Sequence, residues 1–256
     1  DAGVTAAETH RPDLILMDLY MPGCTGWELA CVIRQQSEFL SIPIVLLSGE
    51  TNVDRQLSAM SLGGDDFLTK PIDPSHLVSS VHSRIKRARK IRSNMLHDGL
   101  SGLLNHSTTK ERLGQELERA KRHNSLFSFA MIDLDTFKAV NDTYGHPTGD
   151  RVIKSLARLL KQRVRNTDIV GRFGGEEFAV IFLDTKPEEA ARILDKMRLG
   201  FSKIEHHHKE VVFTKTFSCG VSSFPQFSDP GAINDAADQA LYRAKEEGRN
   251  RVVLIE

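Results

Sequence analysis

Two strand-like runs, 168–173 and 177–183, are joined through Gly174-Gly175. Glycine reaches the backbone conformations a tight reversal needs, so a Gly-Gly link between such runs predicts a β-hairpin. Glu176 and Glu177 follow the glycines directly, which puts two carboxylates at the hairpin tip. A third, Asp133, ends the apolar run 126–133, which reads as a buried strand. A carboxylate at the end of a core strand is costly unless it is paired or binds a cation. Three carboxylates at the edge of one sheet can hold two hard cations through oxygen, as magnesium requires. Two such ions bridging phosphate oxygens activate a hydroxyl for in-line attack. Taken alone, the Gly-Gly-Glu-Glu stretch reads more simply as a polar tip with solvated glutamates.

It does not stand alone. Lys245 and Arg249 are four residues apart near the end of an amphipathic helix over 233–247 that Gly248 terminates. At that spacing they can converge on one anion and suit the β- and γ-phosphates of a nucleotide. The plainer alternative is helix-end charge complementing the dipole. Asn141 and Asp150 flank a Gly-His loop. An amide and a carboxylate together can read a guanine edge, the carboxylate accepting the ring N–H and the exocyclic amine. Helices are also predicted over 151–163 and 187–201, a strand over 211–221 and a last strand over 252–255.

Five blocks in order now carry a resemblance. They are Asp98-Gly-Leu-Ser-Gly-Leu-Leu-Asn105, Asp133-Leu-Asp-Thr-Phe-Lys138 with Asn141-Asp142, Gly145-His146 to Gly149-Asp150, Gly174-Gly-Glu-Glu-Phe178, and Ala237-Asp238 to Gly248-Arg-Asn250. Residues 97–256 resemble the GGDEF diguanylate cyclases, in the Gly-Gly-Glu-Glu-Phe form. The resemblance implies a palm-like α+β domain and condensation of two GTP into cyclic di-GMP. It implies two Mg2+ per site on Asp133, the Leu134 carbonyl, Glu176 and Glu177, with Glu176 helping to deprotonate the ribose 3′-hydroxyl. Asn141 and Asp150 would select guanine. Lys245, Arg249 and the backbone amides near Phe137 and Lys138 would hold the triphosphate. Each domain of a homodimer would hold one GTP. One departure is His106-Ser107 after Asn105, where arginine is usual in the family; it is expected to weaken a local salt bridge without abolishing activity. Arg165 and Asp168, an Arg-x-x-Asp five residues before Gly174, read alone as a surface ion pair of little energetic value. At that distance from the hairpin they resemble the family's product-inhibition site, where cyclic di-GMP would bind.

The first part of the chain has a different rhythm. Apolar runs 14–17, 42–47 and 67–69 alternate with amphipathic stretches 27–33 and 54–62, which predicts a parallel sheet with helices on its faces. Asp18, Ser48 and Lys70 each end one of the three strands, where open parallel sheets gather ligand groups. This segment, 1–73, resembles part of a response-regulator receiver domain. The resemblance implies Asp18 as the phosphorylated aspartate, Ser48 as the switch hydroxyl, Lys70 as the counter-charge, and an upstream histidine kinase for the complete receiver. The usual acidic pair and two of the usual strands are absent from the sequence, so inefficient phosphorylation and an exposed sheet edge are expected. Residues 74–96 form a predicted connecting helix. Leu77, Val81, Ile85, Ala88, Ile91 and Met95 give it a narrow apolar stripe, and a basic run at 86–92 gives it a solvated exterior. Such a helix either pairs with its twin in a dimer or caps the first domain.

Composition excludes little else. Lys and Arg total 34, as do Asp and Glu, so charge points to no nucleic-acid partner. No apolar run reaches the ~18 residues of a membrane helix, and no signal pattern opens the chain. Cys24, Cys31 and Cys219 have no metal-like spacing and read as reduced thiols of a cytoplasmic protein. The run His206-His207-His208, flanked by charges, reads as a solvated hairpin or loop rather than a metal site or tag.

Overall fold

A computed structural model of the chain describes residues 2–36, 39–49 and 63–255. It divides into two compact units, 1–95 and 96–256.

In the first unit three parallel strands, β1 (Ile15–Asp18), β4 (Ile44–Ser48) and β5 (Asp66–Thr69), lie in the order β1-β4-β5. A short ribbon of β2 (Tyr20–Met21) and β3 (Cys24–Thr25) lies between β1 and α2 (Gly26–Arg34). Helix α2 starts with a capping box: Thr25 N–H donates to Glu28 Oε2 at 2.8 Å. Its Ala30 and Ile33 join Ala7 of α1 (Ala2–His10), Met17, Ile44 and Leu46 in one core. The helix expected over 54–62 lies outside the described residues.

Helix α3 (Pro74–Leu96) runs longer than a capping element needs. Its basic run is solvated as expected, with Lys86, Arg87, Arg89 and Lys90 exposed and Arg92 half-buried, yet some of its side chains find partners. Arg89 pairs with Asp13 at 2.6 Å and Arg92 donates to Ser41 Oγ at 3.2 Å, and in the preceding turn Arg84 pairs with Asp66 at 2.8 Å. These arms hold α3 to its own unit, while Ile91 and Met95 of the stripe remain exposed.

In the second unit a five-stranded sheet has the order β12-β11-β6-β8-β7. Its strands are β6 (Phe127–Leu134), β7 (Ile169–Arg172), β8 (Glu177–Leu183), β11 (Phe217–Phe224) and β12 (Val252–Leu254). All pairings are antiparallel except β11 with β12. Every residue of β6 is buried, because helices cover both faces. Phe127, Phe129 and Met131 face α4 (His106–His123) and α8 (Pro230–Glu246). Ala130, Ile132 and Leu134 face α5 (Phe137–Tyr144), α6 (His146–Arg163) and α7 (Pro187–Phe201). That is why the strand reads as a continuous apolar run rather than an alternating one. Each large side chain so buried contributes about 1.5–3 kcal/mol, an upper estimate. Gly220 lets α8 lie directly on β11: a Cβ there would stand 2.1 Å from Ala237 O.

Two local expectations change. The stretch 211–221 is two strands: β10 (Val211–Phe213) pairs with β9 (His206–His208), and β11 starts at Phe217. The histidine run is therefore a hairpin, but His206 is buried against Phe201 and Phe213 rather than solvated. The β7–β8 turn is also longer than two residues. Phe173 N–H donates to Glu177 O at 2.8 Å, which leaves Gly174, Gly175 and Glu176 in the loop. No described helix is long and apolar enough to cross a membrane.

Candidate active site

Strand register brings the acidic residues together. Asp133 is paired with Glu177 across β6 and β8, and Ser218 lies opposite it on β11. Asp133 and Glu177 thus share the sheet face that α8 covers. Glu176 sits in the adjoining turn, where its carbonyl accepts from Leu134 N–H at 3.3 Å. Asp133 is only 6 % exposed. Burial pushes its carboxyl above the ordinary range, and the neighbouring Glu177 and Asp135 charges add to that; the Lys245 hydrogen bond opposes them. Glu176 is likewise pushed up by burial, then by the Asp133 charge. The Lys245 ammonium stands 2.9 Å from Asp133 Oδ2.

This donor set is hard, oxygen-only, mutually repelling and served by one lysine, so its chemistry fits a divalent cation. No described group of three His, Cys, Asp or Glu side chains is already drawn in to coordination distances.

The tip is held from behind by a residue that sequence reasoning passed over. Arg172 pairs with Asp98 at 2.9 Å and donates to Gly174 O at 3.0 Å and Gly175 O at 2.7 Å. An arginine directly before the hairpin was the only available signal. At the departure from the family pattern, His106 packs edge-on against Phe173 with ring centroids 4.7 Å apart.

Gly145 alone links α5 to α6, and that short link folds Gly149 back onto Asn141. Its φ of 79° lets the chain reverse there, and its N–H returns to Asn141 O at 2.9 Å. Gly149 comes so close to Asn141 that a Cβ would lie 2.0 Å from Asn141 Oδ1. The next residue is Asp150, which is exposed. Thr136, in the left-handed region at φ 51°, turns the chain into α5, whose first amides are those of Phe137 and Lys138.

Lys245 and Arg249 lie on either side of the end of α8. Helix α8 ends at Glu246, and Gly248, Arg249 and Asn250 all have positive φ. Lys245 reaches Asp133 from the last turn, while Arg249 lies beyond the helix and is exposed.

Arg165 and Asp168 are not an ion pair. Asp168 closes its own turn, accepting from Arg165 N–H at 2.9 Å and Leu183 N–H at 3.2 Å. The Arg165 guanidinium is exposed, 3.8 Å from Glu189. Both residues line a groove of about 470 Å³ with Arg112, Arg119 and Leu104. In the first unit Lys70 Nζ lies 2.5 Å from Asp18 Oδ2 and holds that carboxyl below its ordinary range. Ser48 is buried, and its carbonyl accepts from Lys70 N–H at 2.7 Å.

Residues 95–251 match the family model described as diguanylate cyclase, GGDEF domain, and residues 1–82 match that of the response regulator receiver domain. Over 254 residues the chain is 33% identical to the response regulator PleD of Caulobacter vibrioides, covering 94% of this chain and 56% of PleD. It is 39% identical over 173 residues to the diguanylate cyclase DgcP of Pseudomonas aeruginosa, covering 68% of this chain and 25% of DgcP. The chain thus spans about half the length of the first of these relatives and a quarter of the second. Among solved structures it is similar to the coiled coil and GGDEF domain of Caulobacter crescentus DgcB in complex with c-di-GMP. That match has a TM-score of 0.66 at 27% identity and covers 70% of this chain and 96% of that one.

Proposed function

Because the chain belongs to the GGDEF diguanylate cyclase family, with a response-regulator receiver segment ahead of the cyclase domain, we propose that it condenses two GTP into cyclic di-GMP and two pyrophosphates. The observation that carries this is the buried Asp133 beside Glu176, Glu177 and Lys245 at the end of the central strands.

Asn141 and Asp150 would receive the guanine edge. Lys245, Arg249 and the first amides of α5 would hold the β- and γ-phosphates. Asp133, the Leu134 carbonyl, Glu176 and Glu177 would hold two magnesium ions. When bound, these would neutralise phosphate charge and favour the alkoxide form of the 3′-hydroxyl. Glu176, with its raised proton affinity, is the group suited to take the 3′-hydroxyl proton. The 3′-oxygen forms a bond to the α-phosphorus of the opposing GTP as the bond to the β-phosphate oxygen breaks. Pyrophosphate leaves, and a second such step closes the ring. One domain holds one GTP, so two domains must face each other in a homodimer. The exposed Ile91 and Met95 on α3 suit that pairing, as does the coiled coil in the similar DgcB structure.

Arg165 and Asp168 would bind product and inhibit, Arg165 stacking on guanine and Asp168 accepting its N–H groups. Asp18, with Ser48 and Lys70, would receive phosphate from a histidine kinase and adjust dimer geometry.

The test is product analysis after incubation with GTP and magnesium, beside Glu176→Ala. Cyclic di-GMP from the parent and none from the variant is the expected result. No product at high protein concentration, after carried-over nucleotide is removed, would overturn the cyclase reading. Arg165→Ala should keep its rate at product concentrations that stop the parent.

A further inference from the structure

Two residues beyond Asp133 stands a carboxylate that the site described above does not use. Asp135 is 5 % exposed. Its Oδ2 accepts from Thr216 Oγ1 at 2.6 Å and from Asn250 N–H at 3.0 Å, and its Oδ1 accepts from Ser218 Oγ at 2.6 Å. The Asn250 N–H also reaches Ser218 Oγ at 3.1 Å. Asp135 N–H donates to Thr216 O at 3.0 Å, so side chain and backbone grip the same segment. A carboxyl group with three donors, two of them at 2.6 Å, is a stiff anchor, because hydrogen bonds to a carboxylate are shorter and stronger than neutral ones.

What it anchors are the two elements that face phosphate. On one side the chain passes from Asp135 through Thr136 into the first amides of α5. On the other, Asn250 immediately follows Arg249, 115 residues away in sequence. The turn holding Arg249 has φ values of 111°, 65° and 49° at Gly248, Arg249 and Asn250. Two consecutive non-glycine residues in the left-handed region persist only where surrounding contacts over-determine them. Those contacts are the bonds to Asp135 and Ser218, Arg198 Nη1 on Asn250 Oδ1 at 2.8 Å, and Arg249 N–H on Ala244 O at 2.9 Å.

We propose that Asp135 is a positioning residue for the triphosphate subsite. It sets the place of the Arg249 guanidinium and of the α5 amides without itself touching nucleotide. This rests on the cyclase reading above. The competing role is a polar core anchor that supports stability alone.

The experiment compares GTP and GMP binding to the full chain, with steady-state kinetics and thermal melts, for the parent, Asp135→Asn and the milder Thr216→Val. GMP keeps the guanine and lacks the two outer phosphates. Asp135→Asn is expected to weaken GTP about tenfold, the worth of one charge-assisted hydrogen bond. KM should rise by a similar factor with kcat little changed and GMP affinity preserved. Thr216→Val should move the same quantities less, about threefold. Equal weakening of GTP and GMP, or a lower Tm with unchanged KM, overturns the proposal, and so does a folded Thr216→Val with parental KM should Asp135→Asn fail to fold. If the parent makes product and both variants match it, this inference alone fails. If the parent binds neither nucleotide, the cyclase reading fails and takes this inference with it.

Discussion

At Asp133 and Glu176 the folded chain holds carboxylates where burial and mutual charge disfavour ionisation. A divalent cation bound there relieves that penalty, so magnesium is expected to raise the Tm of the parent. Glu176→Gln should abolish most of that rise while leaving the magnesium-free Tm at or above the parental value, because a repelling charge has gone. Equal magnesium stabilisation of parent and variant would contradict the assigned cation site. Gly149 makes the opposite kind of demand, for space. Gly149→Ala drives a methyl group into Asn141 Oδ1, which would stand 2.0 Å away. Oδ1 is the far end of a movable side chain, so the expected effect is a raised KM for GTP as Asn141 is displaced, with little loss of stability because alanine suits the helix better than glycine. An unchanged KM would separate Asn141 from guanine recognition.

Among elements, the β7–β8 hairpin depends on a clamp that lies outside its own sequence. Asp98 is partly buried, and burial pushes its carboxyl up. Hydrogen bonds from Ser101 and Arg172, with the Arg172 charge, outweigh that and leave it below its ordinary range. A depressed carboxylate contributes stability above its unfolded pKa of about 3.9 and loses it as pH falls through the folded value. The parent should therefore shed this contribution only below about pH 4. Asp98→Asn should melt lower than the parent near neutrality, by about 1–3 kcal/mol for a partly buried charged hydrogen bond, and the difference should close in acid. A difference that does not shrink as pH falls below about 4 would sink this account. The hairpin's place was legible from Gly174-Gly175. The bond from Phe173 N–H to Glu177 O, between the ends of the two expected strands, closes a loop of Gly174, Gly175 and Glu176.

For the whole molecule, the proposed reaction between two GTP-bearing domains makes the rate depend on protein concentration. Specific activity is expected to rise with concentration until the dimer saturates. Ile91→Glu with Met95→Glu should shift that curve to higher concentration without changing the Tm of the cyclase unit, since both side chains are exposed. A specific activity independent of concentration and of these substitutions would remove α3 from dimerisation. The narrow stripe of α3 was legible as helical period. The hold of Arg84, Arg89 and Arg92 on Asp66, Asp13 and Ser41 was not, because a basic side chain reads as solvated until its distant partner is in place.

Local chemistry carried much of this protein's reading. Apolar periodicity marked β1, β4, β6 and most helices, and glycine and proline marked their ends. The order of the motifs carried the family, which the comparisons support. Tertiary structure decided what local sequence could not encode. Strand register put Asp133 opposite Glu177, and both-sided helix cover buried all of β6. The packing of α8 across the sheet face brought Lys245 to Asp133, 112 residues away in sequence. Asp135 gave no sign in sequence of gripping Asn250, because a hydrogen bond between residues 115 apart exists only once the sheet has formed. The physical reason is common to all four: period and propensity act within a few residues, whereas register, burial and charge pairing depend on which segments the folded chain brings side by side.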